Sequence, residues 1–241
     1  MQICDSKTLT REITQWSKHF EGKETDDNWS LREKAIHHYR NILWGNGSVD
    51  HTEQLVALLK GAMDDILKAL HSLRTTLSTA AFDLTSDIAI RLGPNALPLS
   101  TVLLENSLKF CAQSKKITAQ AAYNASCTII KYLPFQHRTI KQLAACMAEK
   151  SPSLRQYTIG IATTLLATHR ISGNERLVKE SLGQLSQIIR KGLTDSSPAV
   201  RTPSRELYWL FWRRHQQEAD RLMVTLDPTT RTTVMREQPK Y

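Results

Sequence analysis

Apolar residues recur at helical spacing along almost the entire chain, in runs that polar or turn-forming residues interrupt. The first run ends at Phe20, and the second begins after the polar stretch 21–28, where Asp26, Asp27 and Asn28 are candidate N-caps. No stretch alternates apolar and polar residues for long enough to form a strand. The pattern therefore predicts an all-α protein of about eleven helices.

The interruptions are regularly spaced. The breaks inside successive antiparallel helix pairs fall near Trp29, Arg74, Lys115, Arg155 and Arg201. Their spacing of about 40–47 residues is the period of HEAT and armadillo repeats. We therefore expect an α-solenoid in which each helix pair buries its apolar faces against its neighbours.

In such a stack, the turns within the pairs lie along one edge and the turns between the pairs lie along the other. The first edge is expected to carry one indole and many cations, at Trp29, Ser72, Arg74, Ser114, Lys115, Lys116, Lys150, Ser153, Arg155, Arg201 and Arg205. The second edge collects turn formers at 45–47, 93–95, 134–136 and 171–173 and carries fewer charges. The first edge is therefore the candidate recognition surface.

Trp29 allows two interpretations. It lies seven residues before Ile36, which lies seven before Leu43, so it could cap a buried stripe. It also lies in the first helical turn after a polar run, where a half-exposed indole is typical of an interface anchor. The residues alone do not choose between the two.

The cations have alternatives of the same kind. Lys115 and Lys116 open a helix, where the macrodipole disfavours positive charge, so local helix stability does not explain them; a solvated surface remains the alternative. Arg155 and Arg201 each follow a proline by three residues, and this recurrence in consecutive repeats favours a shared role.

The composition points to an acidic partner. The 241 residues include 32 Lys and Arg against 23 Asp and Glu, a net charge of +9, and 41% of the residues are hydrophobic. The four cysteines have no CxxC spacing, which favours free thiols in a reducing compartment. Neither a signal peptide nor a membrane span is evident, so a cytosolic or nuclear protein is expected.

Catalysis is not expected. The sequence lacks GxxxxGK[ST], GxSxG, HExxH and GxGxxG, and the adjacent His37 and His38 point to different helix faces. Asp64 and Asp65 are likewise adjacent on a helix and do not face each other. We therefore expect no enzyme activity, no cofactor and no metal site.

Several stretches resemble the TOG domains of CLASP-family microtubule-associated proteins, and the second TOG domain most of all. FEGKETDDNWSLREKA resembles the first repeat, and SLRTTLSTAAFDL, CAQSKKITAQAAYNASCTIIKYL and SPSLRQYTIGIATTLL resemble the second to fourth. LTDSSPAVRTPSRELYWLFWRRH and RLMVTLD resemble the close of the domain. The resemblance implies an N-terminal extension at 1–8, a TOG domain at 9–227 and a polar C-terminal tail at 228–241.

The resemblance also implies a function. TOG domains are paddles of six HEAT repeats whose within-pair turns contact αβ-tubulin, and this chain would regulate microtubule dynamics by suppressing catastrophe, promoting rescue and stabilising the spindle. It would work on microtubules in the cytoplasm or nucleus, within a longer multi-domain chain whose dimerisation lies elsewhere. The tubulin-binding residues so implied are Trp29, Ser72, Arg74, Lys115, Lys116, Lys150, Arg155, Arg201 and Arg205.

Two features depart from the family pattern, and two other functions stay open. Pro203 is expected to kink the second helix of the fifth repeat or to delay its start, and the sixth repeat fades into the polar tail. The alternatives are a basic solenoid that binds nucleic acid and a scaffold for another acidic protein. The basic turns lack the interleaved aromatic residues that stack on bases, which disfavours nucleic acid.

Overall fold

The computed structural model describes residues 2–238; Met1 and residues 239–241, the end of the expected tail, lie outside the described residues. The chain divides after Pro134 into two compact units, unit 1 and unit 2. Both units are helical, and no strand occurs within residues 2–238. The all-α prediction is thereby confirmed.

Unit 1 begins with a helix that a carboxylate caps and continues through residue 134. The Asp5 carboxylate accepts a hydrogen bond from the Thr8 amide at 2.6 Å, which fixes the start of the first helix. The helices described in unit 1 are α1 (Ser6–Ser17), α2 (Trp29–Trp44), α3 (Gly47–Asp50), α4 (Thr52–Gly61), α5 (Met63–Leu70), α6 (Thr75–Leu92), α7 (Leu97–Phe110) and α8 (Lys116–Tyr132).

These helices form two layers. Helices α2, α6 and α8 pack side by side in one layer, and α1, α4 and α7 follow one another in the other. Tyr39, Phe82 and Leu84 are buried between them. Burial raises the pKa of Tyr39 to about 12, and its hydroxyl lies 2.8 Å from the Ser17 hydroxyl, which ties α1 to α2. Each within-pair turn leads into the start of α2, α6 or α8, so these three starts lie at one end of their layer.

Unit 2, described over 135–238, repeats this arrangement. Its helices are α9 (His137–Cys146), α10 (Pro152–Thr168), α11 (Glu175–Leu193), α12 (Pro198–Arg214), α13 (Gln216–Val224) and α14 (Pro228–Arg236). Helices α10 and α12 pack together, and α9, α11 and α13 form the other layer. Gly192 allows α11 to approach α12 closely, because a Cβ there would clash with the Ser204 hydroxyl.

The helix count differs from the prediction because some predicted elements are divided. The expected helix over 53–70 is split into α4 and α5 at Ala62, next to Gly61, which lowers helix propensity locally. The short α3 follows the Gly45-Asn46-Gly47 turn. None of the four cysteines, all of which lie within residues 2–238, forms a disulfide; Cys4 is exposed whereas Cys111 is buried. Within residues 2–238, no helix is both long and apolar enough to cross a membrane.

Pro203 does not delay its helix. Helix α12 begins at Pro198, whose ring presets the backbone at the first helical position, and continues through Pro203 to Arg214. Pro203 removes only the hydrogen bond that its own amide would have donated to the carbonyl of Ala199. The expectation of a late start is therefore wrong.

Residues near both ends of the described chain, 2–8 and 228–236, take part in the fold. Residues 228–236, expected in a polar tail, form α14, which the Asp227 carboxylate caps by accepting from Thr230 N at 3.0 Å and in which Val234 is fully buried. Within the expected extension 1–8, Ile3 is 2% exposed, and its backbone N–H and C=O bond to the Asn46 side chain at 2.6 and 2.8 Å. A sixth helix pair, α13 and α14, therefore completes unit 2.

Candidate functional site

The first turn of unit 1, residues 21–28, is held from inside by a buried arginine. Arg32 is 2% exposed; its Nε donates to the carbonyl of His19 at 3.1 Å and its Nη2 to that of Gly22 at 3.0 Å. Its guanidinium carbon lies 5.5 Å from the centre of the Phe20 ring. Gly22 adopts φ 69°, a conformation that favours glycine. The conformation of this turn is therefore fixed by the buried side chain of Arg32 and by Gly22.

Asn28 places Trp29 at the end of this turn. The Asn28 side chain accepts a hydrogen bond from the Thr25 amide at 2.8 Å and donates to the Lys23 carbonyl at 2.9 Å. Trp29 is the first residue of α2 and is half-buried. It is therefore not sealed in the core.

The second turn, between α5 and α6, contacts the first through two side chains. The Ser72 hydroxyl donates to Glu24 Oε1 at 2.8 Å, and the Arg74 guanidinium forms an ion pair with Asp26. The Arg74 guanidinium carbon also lies 5.8 Å from the centre of the Trp29 ring. The structure thus brings together Trp29, Ser72 and Arg74. Arg74 therefore packs against the indole while its side chain stays 46% exposed.

The third turn adds lysines and apolar side chains. Lys115 Nζ donates to the Leu73 carbonyl at 3.3 Å, which ties the third turn to the second. Lys115 and Lys116 are exposed and form no ion pair within residues 2–238. The side chain of Leu73 is 90% exposed and that of Ile117 is 65% exposed. We call Trp29, Leu73 and Ile117 the apolar tips, because each lies at the start of one of three neighbouring helices.

Sequence reasoning missed Leu73 and Ile117. Both residues lie within stretches that the sequence singled out, SLRTTLS and SKKI, but the interpretation attended to their polar and charged neighbours. A large aliphatic residue between polar residues at a helix start is the signal that could have found them.

In unit 2, Arg155 is committed to its own turn. Its Nη1 donates to the carbonyls of Glu149 and Lys150, both at 2.9 Å. Its Nε and Nη2 bond to Asp195 at 2.6 and 3.0 Å, which links the turn before α10 to the turn before α12. These bonds hold the pKa of Asp195 below its ordinary value, and the Asp195 carboxylate in turn raises the pKa of Arg155. Lys150 itself is exposed.

Arg201 and Arg205 also have internal partners. Arg201 Nη1 donates to the carbonyls of Asp195 and Ser196 at 2.7 and 2.8 Å, so its Nε and Nη2 stay available. Arg205 Nε bonds to Glu237 Oε2 at 2.6 Å, which ties α12 to the residue after α14. Arg205 is thus directed toward a segment that the sequence treated as a tail.

The described turns hold no metal-ligand cluster. Within residues 2–238, no group of three His, Cys, Asp or Glu side chains is arranged to hold a metal ion. What the described turns present is half-buried indole, exposed aliphatic side chains and lysines, the components of a protein-binding surface.

The family model for the CLASP N-terminal region matches residues 9–235. This chain belongs to the CLASP N terminal family. The match spans both units and includes α14 up to its penultimate residue, which confirms the resemblance seen in the sequence.

Two relatives of this CLASP N-terminal region are fungal proteins named STU1. Protein stu1 of Aspergillus fumigatus is 30% identical over 239 residues, covering 98% of this chain and 18% of that protein. Protein STU1 of Coccidioides immitis is 34% identical over 227 residues, covering 93% of this chain and 18% of that protein. The chain therefore spans less than a fifth of the length of these two relatives.

Solved structures share the fold. The MAST/Orbit N-terminal domain aligns with a TM-score of 0.67 and 12% identity, over 92% of this chain and 93% of that one. The CEP104 TOG domain aligns with a TM-score of 0.61 and 15% identity, over 95% and 91%. At these identities the likeness shows the fold, and the predicted solenoid of HEAT helix pairs is confirmed.

Three arginines of this CLASP N-terminal domain occupy equivalent positions in their helices and make equivalent hydrogen bonds. Arg32, Arg155 and Arg201 are each the fourth residue of α2, α10 and α12, and each donates to carbonyls of the turn before its helix. The recurrence that the sequence showed at Arg155 and Arg201 therefore has a structural explanation. Arg32 makes the same kind of contact. Sequence reasoning missed it because α2, unlike α10 and α12, does not begin with a proline.

Arg32→Ala is expected to lower the free energy of unfolding by about 2–4 kcal/mol, since the buried guanidinium no longer donates to the part-buried carbonyls of the turn and Phe20 loses its stacking partner. Arg32→Lys should recover only part of the loss, because an ammonium cannot reproduce the planar fork. Urea denaturation measures both. Arg11, whose side chain is 69% exposed, supplies the control: Arg11→Ala should change stability little, and an equal loss in the two alanine variants would refute the role of Arg32.

Proposed function

We propose that this chain is a TOG-type domain that binds αβ-tubulin through its within-pair turns and performs no chemistry. One observation carries the proposal: the apolar tips Trp29, Leu73 and Ile117 lie at or just before the starts of three successive helices of one layer, and Leu73 and Ile117 adjoin Lys115 and Lys116. Exposed apolar groups next to cations suit an acidic protein surface, because the apolar groups supply desolvated contact and the lysines steer association.

Similar folds support this partner. One structure, with a TM-score of 0.68 and 8% identity, comes from work on TOG–tubulin binding specificity in microtubule dynamics and spindle formation. Another, with a TM-score of 0.72 and 15% identity, comes from work on tubulin recruitment by microtubule polymerases with TOG arrays. We infer the same partner here, with a role in microtubule dynamics and a location on cytoskeletal microtubules and the spindle, in the cytoplasm or nucleus.

We divide the implied tubulin-binding residues into those that contact tubulin and those that position the turns. Trp29, Lys115, Lys116, Lys150 and the open side of Arg201 contact tubulin, and Leu73 and Ile117 join them. Ser72, Arg155 and Arg205 position the turns, since their side chains bond to groups of this chain. Arg74 does both, because one of its nitrogens pairs with Asp26 while its side chain stays 46% exposed. Arginine suits positioning because its planar fork binds two carbonyls or a carboxylate at once.

Size-exclusion chromatography with unpolymerised tubulin, run beside co-pelleting with microtubules, tests the proposal. Binding in either assay at near-physiological salt is the expected result. The absence of binding in both would contradict the proposal, and displacement of tubulin by nucleic acid at equal salt would favour the nucleic-acid alternative.

Charge reversal at Lys115 and Lys116, as Lys115→Glu with Lys116→Glu, is expected to weaken tubulin binding about tenfold or more at low salt. The loss should shrink as salt is raised, because mobile ions screen exposed charges. The matched control reverses Lys7 and Lys60, which are exposed on α1 and α4, and changes the net charge equally. If the control weakens binding as much, net charge rather than the turn is responsible.

A further inference from the structure

The opposite end of the α2–α6–α8 layer is not merely architectural. Trp44, the last residue of α2, is 54% exposed, and Val49 in the short helix α3 is 69% exposed. Tyr132, the last residue of α8, is 43% exposed. Because α2, α6 and α8 start at a common end, their C-terminal residues share the other end. We call Trp44, Val49, Arg91, Lys131 and Tyr132 the Trp44 edge.

A cation accompanies each exposed aromatic ring on the Trp44 edge. The Arg91 guanidinium carbon lies 5.0 Å from the centre of the Trp44 ring, and Lys131 Nζ lies 5.5 Å from the centre of the Tyr132 ring. Arg91 is fixed in place, because its Nε donates to the Leu43 carbonyl at 3.0 Å and its Nη2 to the Ser48 hydroxyl at 3.2 Å. No carboxylate pairs with Arg91 or Lys131 within residues 2–238. Both cations also complement a helix C-terminus, but the dipole does not explain the exposed rings.

The spacing of the two pairs suits an extended chain. Trp44 and Tyr132 lie on helices separated by α6, and neighbouring packed helices are about 8–10 Å apart, so the two rings are roughly two helix spacings apart. An extended peptide covers about 3.3–3.6 Å per residue, so about six residues would span the edge.

We propose that the Trp44 edge binds an acidic, extended peptide segment of a partner protein. A carboxylate of the peptide bonds to the open side of the Arg91 guanidinium, and a neighbouring apolar side chain packs on Trp44 and Val49. A second carboxylate lies at Lys131 beside Tyr132. Charge complementarity favours an acidic peptide as the ligand. Arg91 and Lys131 present positive charge at this edge, and no carboxylate among the described side chains pairs with either of them. The segment would bind without using the within-pair turns.

Fluorescence anisotropy with the whole chain and a labelled peptide of Glu-Glu-Leu repeats tests the proposal. The Glu peptide should bind at least about tenfold more tightly than the same peptide with Gln in place of Glu. Trp44→Ala should weaken binding about tenfold and Lys131→Gln several-fold, whereas Trp29→Ala at the opposite end should leave it unchanged. Trp44→Ala is preferred to a change at Arg91 because Arg91 also holds the turn after α2.

Several outcomes would overturn the proposal. These are the absence of binding, equal binding of the Gln peptide, no effect of Trp44→Ala, and a loss of binding in Trp29→Ala. Displacement of the peptide by a single-stranded oligonucleotide at a lower concentration would also overturn it, since the edge would then be a nucleic-acid site. Because none of these measurements involves tubulin, the result is independent of tubulin binding at the turns.

Discussion

Trp29→Ala is expected to weaken tubulin binding by about 2 kcal/mol or more, which is about 30-fold in the dissociation constant. The half-buried indole stands at the start of α2 and is held by Arg74, so it loses little conformational freedom when a partner covers it. Its removal deletes the largest apolar tip and leaves Arg74 with Asp26 alone. Sedimentation with microtubules and titration with unpolymerised tubulin both measure the loss.

A matched control separates contact from folding. Trp212 is also half-buried, near the C-terminal end of α12, and its Nε1 bonds to Asp220 at 3.0 Å. Trp212→Ala should leave tubulin binding unchanged, and the thermal unfolding midpoint of Trp29→Ala should stay close to that of the parent chain. Unchanged binding by Trp29→Ala would mean that the indole is not the anchor.

Asp195→Asn is expected to lower the free energy of unfolding by about 2–3 kcal/mol. The Asp195 side chain is 6% exposed and that of Arg155 is 13% exposed, so the substitution leaves a largely buried guanidinium without its counter-ion. The carboxylate also accepts from the Ser197 amide at 2.8 Å, which orders the turn before α12. Denaturation with guanidinium chloride measures the change in unfolding free energy. Asp64→Asn, at an exposed position of α5, is the control and should change stability little.

The same variant should alter the acid dependence of stability. The pKa of Asp195 is lowered in the folded state, chiefly because Arg155 donates to it, so the unfolded chain takes up the proton first. This contribution is complete above the ordinary value of 3.8 and is lost as pH falls through the lower folded pKa. The difference in stability between the parent and Asp195→Asn should therefore narrow below about pH 4. A difference that stays constant with pH would mean that the ion pair is not its source.

The features that the sequence predicted are those that depend on periodicity. The apolar stripes predicted the helices, and the spacing of their breaks predicted the helix pairs and the grouping of Trp29, Ser72 and Arg74. These contacts follow from topology, because consecutive within-pair turns must meet at one end of a layer. The prediction needed no knowledge of individual side-chain directions.

What the sequence could not predict depends on where side chains point. In the sequence, Arg155 resembles a surface cation. Its nitrogens instead bond to two carbonyls of the preceding turn and to the carboxylate of Asp195, which lies 40 residues further along the chain. Arg32 lies in an amphipathic helix, where a long cation is ordinarily assigned to solvent. The sequence pattern does not indicate where Leu73 points, yet its side chain is 90% exposed, because α5 ends at Leu70 and Leu73 lies in the turn before α6. The tertiary contacts of each side chain decide these outcomes, and the spacing of apolar residues in the sequence carries no information about those contacts.

Arginine and lysine divide the work at the turns. The arginines face carbonyls and carboxylates of their own chain, whereas Lys115, Lys116 and Lys150 remain exposed. This division follows from their chemistry: the guanidinium fork satisfies several acceptors at once, and the ammonium is strongly hydrated and costly to bury. A count of basic residues along the edge therefore overstates the charge that a partner meets.

Photo-crosslinking from single positions tests the tubulin interface most directly. A photoreactive side chain at Leu73, on the within-pair turn, should yield a covalent adduct with tubulin, and the same group at Asn95, which is exposed on a turn between pairs, should yield none. Adducts from position 95 without adducts from position 73 would contradict the assignment of the within-pair turns as the tubulin-binding surface.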